Sequence, residues 1–199
     1  MRNLPFFLSL PAVVISSTAI VASAHAEDFL TVQQAQQVLF PHATLFLDSA
    51  ISLNEAQLDN IKKIAGVRQR QKVQKTWRAE NKGELLGWFM VDDVIGKHDF
   101  ITYGVAISAA GEVLGIEILS YRETHGGQVR QPQWRNHFVG KTLQDKFKLG
   151  QDIPNISGAT LSCRNVTDGV KRLLAIYQIA LNSAVINPAG ITPTAIPVA

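Results

Sequence analysis

Cysteine is nearly absent from this sequence, and its scarcity excludes several kinds of site. Of the 199 residues only Cys163 is a cysteine, so the chain can neither close an internal disulfide nor build a cysteine-based metal site. The Cys-x-x-Cys-His pattern that attaches haem is also missing. His42, His98 and His137 are scattered without the spacing of metal ligands, and we expect no metal site.

A strong excess of charge is lacking too. Nineteen Lys and Arg residues face sixteen Asp and Glu residues, for a formal net charge of +3. Such a small excess predicts no nucleic-acid partner and no strong attraction to a membrane surface. The sequence has no phosphate-cradling Gly-Lys loop, no Ser/His/Asp order near a strand elbow, and no paired carboxylates in a recognisable frame. We therefore identify no catalytic residues.

The first 26 residues have the order of features that marks a secretory signal peptide. Arg2 gives a positive start, residues 6–22 are mostly apolar, and a small-x-small pattern ends at Ala26. The pattern predicts cleavage after Ala26 and a periplasmic or otherwise extracytoplasmic location. The alternative is an uncleaved N-terminal anchor, because the uncharged stretch is long enough to cross a bilayer. Pro5 and Pro11 weaken its helix and favour cleavage.

The rest of the chain predicts a single α+β domain, an antiparallel sheet with helices packed on one face. We expect strands over residues 45–47, 75–80, 85–91, 101–108 and 113–119. Residues 92–99 form a turn, and Gly111 suits the tight turn of a hairpin. We expect helices over residues 32–40, 55–65 and 132–138, and a longer one after Thr160. The domain would span residues 74–183, with an N-terminal extension at 27–73 and a disordered tail at 184–199.

The last helix has a clear apolar face. Its apolar residues recur at helical spacing, namely Val166, Val170, Leu173, Leu174, Tyr177 and Leu181. The charged residues are predicted to lie mostly on the opposite, solvated face, namely Arg164, Asp168, Lys171 and Arg172. We expect Cys163 to be a small buried residue of this helix, the alternative being a redox-active thiol.

Small and hydroxylated residues meet just before this helix. Residues 157–162 read Ser-Gly-Ala-Thr-Leu-Ser. A helix start offers free backbone N–H groups and the positive end of the helix dipole, which favour a phosphate. Gly158 and Ala159 have almost no side chain, so a bulky group can approach the backbone. Thr160 places a hydroxyl at that point. Ordinary N-capping of the helix by Ser or Thr is the other interpretation.

The same segment resembles the flavinylation motif of the FMN-binding domain family, which includes the periplasmic FMN subunits of the Rnf and sodium-pumping NADH:quinone reductase complexes. Residues 155–162, followed by Val166 and Gly169-Val170, are similar to that motif. The hairpin at 103–119 is similar to the family's sheet. Glu123-Thr124-His125-Gly126-Gly127 resembles the family's Glu-Thr-x-Gly loop after that sheet.

The resemblance implies that Thr160 carries FMN through a phosphoester bond, made by an exported, magnesium-dependent flavin transferase that uses FAD as donor. The resemblance also implies that Ser157, Gly158 and Ala159 are the recognition residues. Leu161 and Ser162 continue the same motif. It places Glu123, Thr124 and His125 beside the flavin. One departure stands out, because Pro154 occupies a position where the family often has Asp, and the nearest acid is Asp152.

The function implied is electron transfer between membrane and extracytoplasmic redox partners by a flavoprotein that is itself the substrate of the transferase. Arg122 and Arg164 are candidates to pair with the FMN phosphate. Two alternatives remain: an anchored subunit of a membrane redox complex, and a non-redox binding module that keeps the fold without flavin, as Pro154 would allow.

The signal peptide gives the first testable prediction. The exported protein should begin at Glu27, because the small-x-small pattern ends at Ala26. N-terminal sequencing of protein recovered from outside the cytoplasm checks this. A chain that keeps residues 1–26 would show the anchored form instead.

Overall fold

The computed structural model describes residues 27–123 and 125–182, so the predicted signal peptide, Thr124 and the predicted tail lie outside the described residues. The strands are β1 Glu27–Asp28, β2 Leu45–Asp48, β3 Ile51–Ser52, β4 Val73–Asn81, β5 Glu84–Ile95, β6 Phe100–Ser108 and β7 Val113–Tyr121. The helices are α1 Val32–Leu39, α2 Glu55–Ala65, α3 Pro132–Arg135 and α4 Thr160–Ile176. Two 3-10 turns, Gly127–Arg130 and Asn136–Phe138, flank α3, and a π-helical turn, Tyr177–Leu181, extends α4.

The strands form an antiparallel sheet in the order β1-β7-β6-β5-β4-β2, with β3 also paired to β4. This confirms the α+β class and the single domain. Strands β1, β2 and β3 come from residues 27–73, so this segment supplies part of the sheet. Among the residues that the structure describes, no helix is both long and apolar enough to span a bilayer.

Local signals fix the first two helices. Thr31 and Asn54 each close a capping box, accepting from the backbone of Gln34 and Gln57 while those side chains accept in return. Helix α2 ends at Gly66, whose φ of 79° is the left-handed conformation that glycine adopts most readily. The predicted bounds of α2 are confirmed.

Helices pack on both faces of the sheet, so the prediction of helices on one face is wrong. Successive residues of a strand point to opposite faces. Phe89 and Val91 belong to a core cluster with Ala35 of α1, whereas Trp88 and Met90 belong to the larger cluster. Helices α2 and α4 complete that larger cluster. The short, glutamine-rich α1 covers the second face because its Ala35 and the following Phe40 are buried there.

Strand β5 is longer than predicted, because its two acids are paired and do not form a turn. Asp92 accepts a hydrogen bond from the Tyr103 hydroxyl at 2.7 Å and forms an ion pair with Arg172. Asp93 accepts from the Thr102 hydroxyl at 2.5 Å. With both carboxylates satisfied, the strand continues to Ile95, and only residues 96–99 form the turn.

The position of Arg172 is a second correction. The predicted apolar face of α4 is buried throughout, but Arg172 is buried with it and is only 8% exposed. Its guanidinium reaches Asp92 across the core and also donates to the Arg68 carbonyl at 3.4 Å. Burial, together with the negative charge of Asp92, raises the pKa of Tyr103 well above its usual range, so that the phenol remains a donor.

Removing the cation of this pair should destabilise the fold. Arg172→Leu leaves the Asp92 carboxylate buried without its partner, and we expect the free energy of unfolding to fall by about 3–5 kcal/mol. Lys171→Leu, at the half-buried neighbouring position, is the matched control and should change it by less than ~1 kcal/mol. Urea denaturation measures both, and equal losses would contradict a structural role for the ion pair.

Candidate functional site

Helix α4 begins without a side-chain cap. Its N-cap residue is Ala159, no side chain hydrogen-bonds to the first turn, and that turn contains no acid. The interpretation of residues 157–162 as ordinary Ser or Thr capping is therefore wrong for the described structure. The first-turn N–H groups and the positive end of the helix dipole remain available to an anion. Thr160, the first residue of the helix, is exposed beside them.

Each small residue of the motif has a separate structural reason. Gly158 has a φ of +81°, and a Cβ built there would meet nothing within 4 Å, so this glycine provides conformation and open space. Ala159 is buried against Gly126, whose own added Cβ would collide with it. Leu161 is 46% exposed, whereas Ser162 points inward and is buried. The motif thus presents Thr160 and Leu161 on a tightly held backbone.

Two other segments converge on the start of α4. The loop after β7 holds one side, because the Tyr121 hydroxyl donates to the His125 carbonyl at 2.5 Å and lies 3.5 Å from the Ser162 hydroxyl. The β5–β6 turn holds the other side, because the Asn165 amide donates to the Ile95 carbonyl at 2.6 Å. Asn165 was not predicted as part of the site, and a polar residue on a helix gives no local signal of such a contact.

Glu123 joins these two segments. Its carboxylate accepts the backbone N–H groups of His98 at 2.6 Å and Asp99 at 3.1 Å. Although partial burial acts in the opposite direction, these backbone hydrogen bonds lower the pKa of Glu123. The carboxylate therefore fixes the β5–β6 turn against the loop after β7. Thr124 lies outside the described residues, and His125 is exposed.

Asp152 organises the segment that leads to the motif. Its carboxylate accepts from the backbone of Phe147 at 3.0 Å and Lys148 at 2.6 Å, and from the Lys141 ammonium at 3.0 Å. Partial burial opposes these contacts, but together they lower the pKa of Asp152. The Pro154 carbonyl accepts from the Trp134 indole N–H at 2.9 Å.

The cysteine and the three tryptophans are packed within the domain. Cys163 is free and fully buried, and burial raises the pKa of its thiol, which favours the structural interpretation over a reactive thiol. Trp88 and Trp134 are buried, and Trp77 is half-buried against Phe89. Within residues 27–123 and 125–182, no group of His, Cys, Asp and Glu side chains has the arrangement of a metal site.

Comparisons with known proteins point to one family. Residues 96–175 match the FMN-binding domain family. The chain is 24% identical over 190 residues to a subunit of the Na(+)-translocating ferredoxin:NAD(+) oxidoreductase complex of Acetobacterium woodii, covering 87% of this chain and 91% of that protein. It is 35% identical to a subunit of the ion-translocating oxidoreductase complex of Shewanella oneidensis, over 34% of this chain and 37% of that one. The crystal structure of Shewanella oneidensis NqrC aligns with a TM-score of 0.49 and 18% identity, covering 72% of this chain and 71% of that chain.

The contact between Gly126 and Ala159 can be tested with two alanine substitutions. Both Gly126 and Gly158 have positive φ, so an added Cβ costs about 1–2 kcal/mol at either position. Only Gly126→Ala also drives a Cβ into Ala159, which adds a further cost of about 1–3 kcal/mol. Urea denaturation should therefore show Gly126→Ala as clearly the less stable of the two variants. Equal stabilities would show that the loop and the helix start are not closely packed.

Proposed function

Because residues 96–175 match the FMN-binding domain family, we propose that this chain is an exported flavoprotein that carries FMN on Thr160. The FMN is joined to the Thr160 oxygen through a phosphoester bond. The chain passes electrons between a membrane redox partner and an extracytoplasmic one. It is the substrate of a flavin transferase and has no catalytic residues of its own.

One observation carries the proposal: the exposed hydroxyl of Thr160 stands at a helix start that no side chain caps. A phosphate ester on this hydroxyl would lie beside the free N–H groups of the first turn and the positive end of the helix dipole. Arg164 is exposed one turn further along the same face, where a guanidinium can pair with phosphate. The open space at Gly158 leaves room for the donor to approach.

The attachment is a phosphoryl transfer that balances with FAD as the donor. The Thr160 oxygen bonds to the phosphorus on the FMN side of the pyrophosphate of FAD. The pyrophosphate bond breaks, AMP leaves, and the hydroxyl proton goes to a base of the transferase. The chain contributes the acceptor hydroxyl and the recognition residues Ser157, Gly158 and Ala159. An exported, magnesium-dependent transferase is the partner this step requires.

The protein's role toward the bound group is to hold and orient it. FMN supplies the redox chemistry, since flavins exchange one or two electrons. We propose that Glu123, Thr124 and His125 contact the flavin, as the family resemblance implies, and that Leu161 and Ser162 complete the motif. A covalent bond keeps the cofactor from being lost by dilution outside the cytoplasm.

The names of the relatives support a place in a membrane assembly. The proteins from Acetobacterium woodii and Shewanella oneidensis are both named as subunits of ion-translocating oxidoreductase complexes. We therefore propose membrane redox proteins as the partners of this chain. Cleavage after Ala26 would give a released carrier, and retention of residues 1–26 would give an anchored form.

A flavin-free binding module is the competing function, and Pro154 is the sequence feature that favours it. In the structure the hydrogen bond at this position is accepted by a backbone carbonyl, which any residue could supply. The uncapped start of α4 opposes the alternative, because a module without an anion there would leave its first-turn donors to water alone.

Substitutions of two exposed hydroxyl residues test the attachment. When the chain is exported from a host that contains the transferase, Thr160→Val should abolish flavin fluorescence on a denaturing gel. Thr160→Ser keeps an acceptor oxygen and should retain some. Ser52→Ala is the control, since it removes an exposed hydroxyl outside the motif and should remain flavinylated. Fluorescence that survives Thr160→Val, or its absence from the unaltered protein, would contradict the proposal.

A further inference from the structure

Positive charge is concentrated in one segment of the chain. Residues 60–75, from the second half of α2 to the start of β4, contain six Lys and Arg residues and no Asp or Glu. The formal net charge of the whole chain is only +3, so the other residues together are net negative. We call the six side chains of this segment the basic surface; they are Lys62, Lys63, Arg68, Arg70, Lys72 and Lys75.

Most of the charge on the basic surface is unpaired. All six side chains are exposed. Lys72 forms an ion pair with Glu55 at 2.6 Å, and both side chains of this pair are exposed. Within residues 27–123 and 125–182, the other five cations form no ion pair. Their charge is therefore screened only by dissolved ions and is available to a partner.

Part of the basic surface lies near the proposed attachment site. Arg68 and Arg70 line a cavity of about 440 Å³ together with Asn165 of α4. Asn165 is five residues beyond Thr160, which is roughly 7–8 Å along a helix axis. The hydrogen bond that Arg172 donates to the Arg68 carbonyl at 3.4 Å holds this segment against α4. A partner that covers Arg68 and Arg70 would therefore lie close to the first turns of α4.

The acids around this segment do not cancel its charge. Asp92 is buried in its ion pair with Arg172, and Asp93 is half-buried and accepts a hydrogen bond from a threonine hydroxyl at 2.5 Å. Asp168 is also half-buried, and burial raises the pKa of its carboxyl. Asp59, immediately before the segment, is exposed and offsets at most one of the six charges.

A protein fits the basic surface better than a membrane does. Helices that bind membranes place several apolar residues beside their cations, and these residues enter the lipid. In residues 60–75 the large apolar side chains that are exposed are Ile64 and Val73, which are nine residues apart, whereas Ile61 and Ala65 of α2 are buried. Transient redox complexes, in contrast, have small interfaces and depend on opposite charges for a fast approach.

We propose that the basic surface is the docking site for an acidic one-electron carrier protein that accepts electrons from the reduced FMN on Thr160. The proposal rests on the proposed function. Each transfer oxidises the flavin by one electron and reduces the metal centre of the carrier by one electron. Opposite charges speed the encounter, and exposed charge pairs contribute little to affinity, so the complex separates quickly after the transfer. Residues 60–75 thus direct the partner toward the start of α4.

Two small haem proteins of opposite charge test the proposal. The soluble domain of cytochrome b5 is acidic, and cytochrome c is basic. The flavinylated protein is exported from a host with the transferase, and intact-mass spectrometry first shows its FMN. After stoichiometric reduction with dithionite, stopped-flow absorbance gives the second-order rate constant for reduction of each haem iron at increasing salt concentrations.

Charge reversal at two places separates docking from net charge. Arg68→Glu/Arg70→Glu alters the basic surface. Lys82→Glu/Lys146→Glu is the matched control, because it changes the net charge by the same amount at exposed lysines outside residues 60–75. At low salt we expect the first variant to reduce cytochrome b5 about tenfold more slowly and cytochrome c faster than the unaltered protein. The control should change either rate constant by less than about twofold.

A third variant removes charge further from the flavin. Lys62→Gln/Lys63→Gln lies on α2 and outside the residues that line the cavity, so it should not affect the flavin itself. We expect it to slow the reduction of cytochrome b5 by a smaller factor than Arg68→Glu/Arg70→Glu, with an unchanged flavin spectrum. An unchanged rate would show that the charge on α2 has no part in docking and would contradict the surface as defined.

The outcomes distinguish this proposal from the proposed function. Equal slowing of cytochrome b5 by the two charge-reversal variants would overturn the docking site, because only net charge would then matter. Binding to phosphatidylcholine–phosphatidylglycerol vesicles that Arg68→Glu/Arg70→Glu abolishes, with an unchanged rate for cytochrome b5, would assign the surface to lipid and overturn it as well. A chain without FMN would contradict the proposed function. Calorimetric titration with cytochrome b5 at low salt then still tests docking, and equal binding by the unaltered chain and Arg68→Glu/Arg70→Glu would overturn it.

Discussion

The buried ion pair between Arg172 and Asp92 holds α4 against the sheet, and the placement of the candidate site depends on it. Arg172 lies twelve residues beyond Thr160 on the same helix, so a helix fixed at that point also fixes the position of its first turn. A buried pair of this kind contributes little net stability compared with apolar residues, but losing one partner is costly. Its effect here is to set the position of α4, and with it the direction in which Thr160 points.

Close packing then fixes the start of α4 but leaves Thr160 accessible to solvent. Gly126 lies against Ala159, the Tyr121 hydroxyl lies near Ser162, and Asn165 binds the β5–β6 turn. All three contacts act on residues within five positions of Thr160, which itself remains exposed. The result is a hydroxyl on a rigid backbone beside unpaired donors, an arrangement suited to a covalently held phosphate.

The parts of the fold that could be read from the sequence are those that local chemistry determines. The capping residue Asn54 and the terminating Gly66 predicted α2 correctly, and the hairpin turn at Gly111 was also confirmed. Charged residues with distant partners could not be read in this way. In the sequence, Asp92 is typical of a turn and Arg172 of a solvated helix face. In the structure the two residues, 80 positions apart, contact each other and are both buried.

The most direct test of the central claim is a fragmentation spectrum of the tryptic peptide 149–164, taken from the protein exported by a host that contains the transferase. The peptide ends at Arg164 and contains three hydroxyl residues, Ser157, Thr160 and Ser162. We expect one FMN on this peptide, and every fragment that carries the added mass should include Thr160. An unmodified peptide, or FMN located on Ser157 or Ser162, would contradict it.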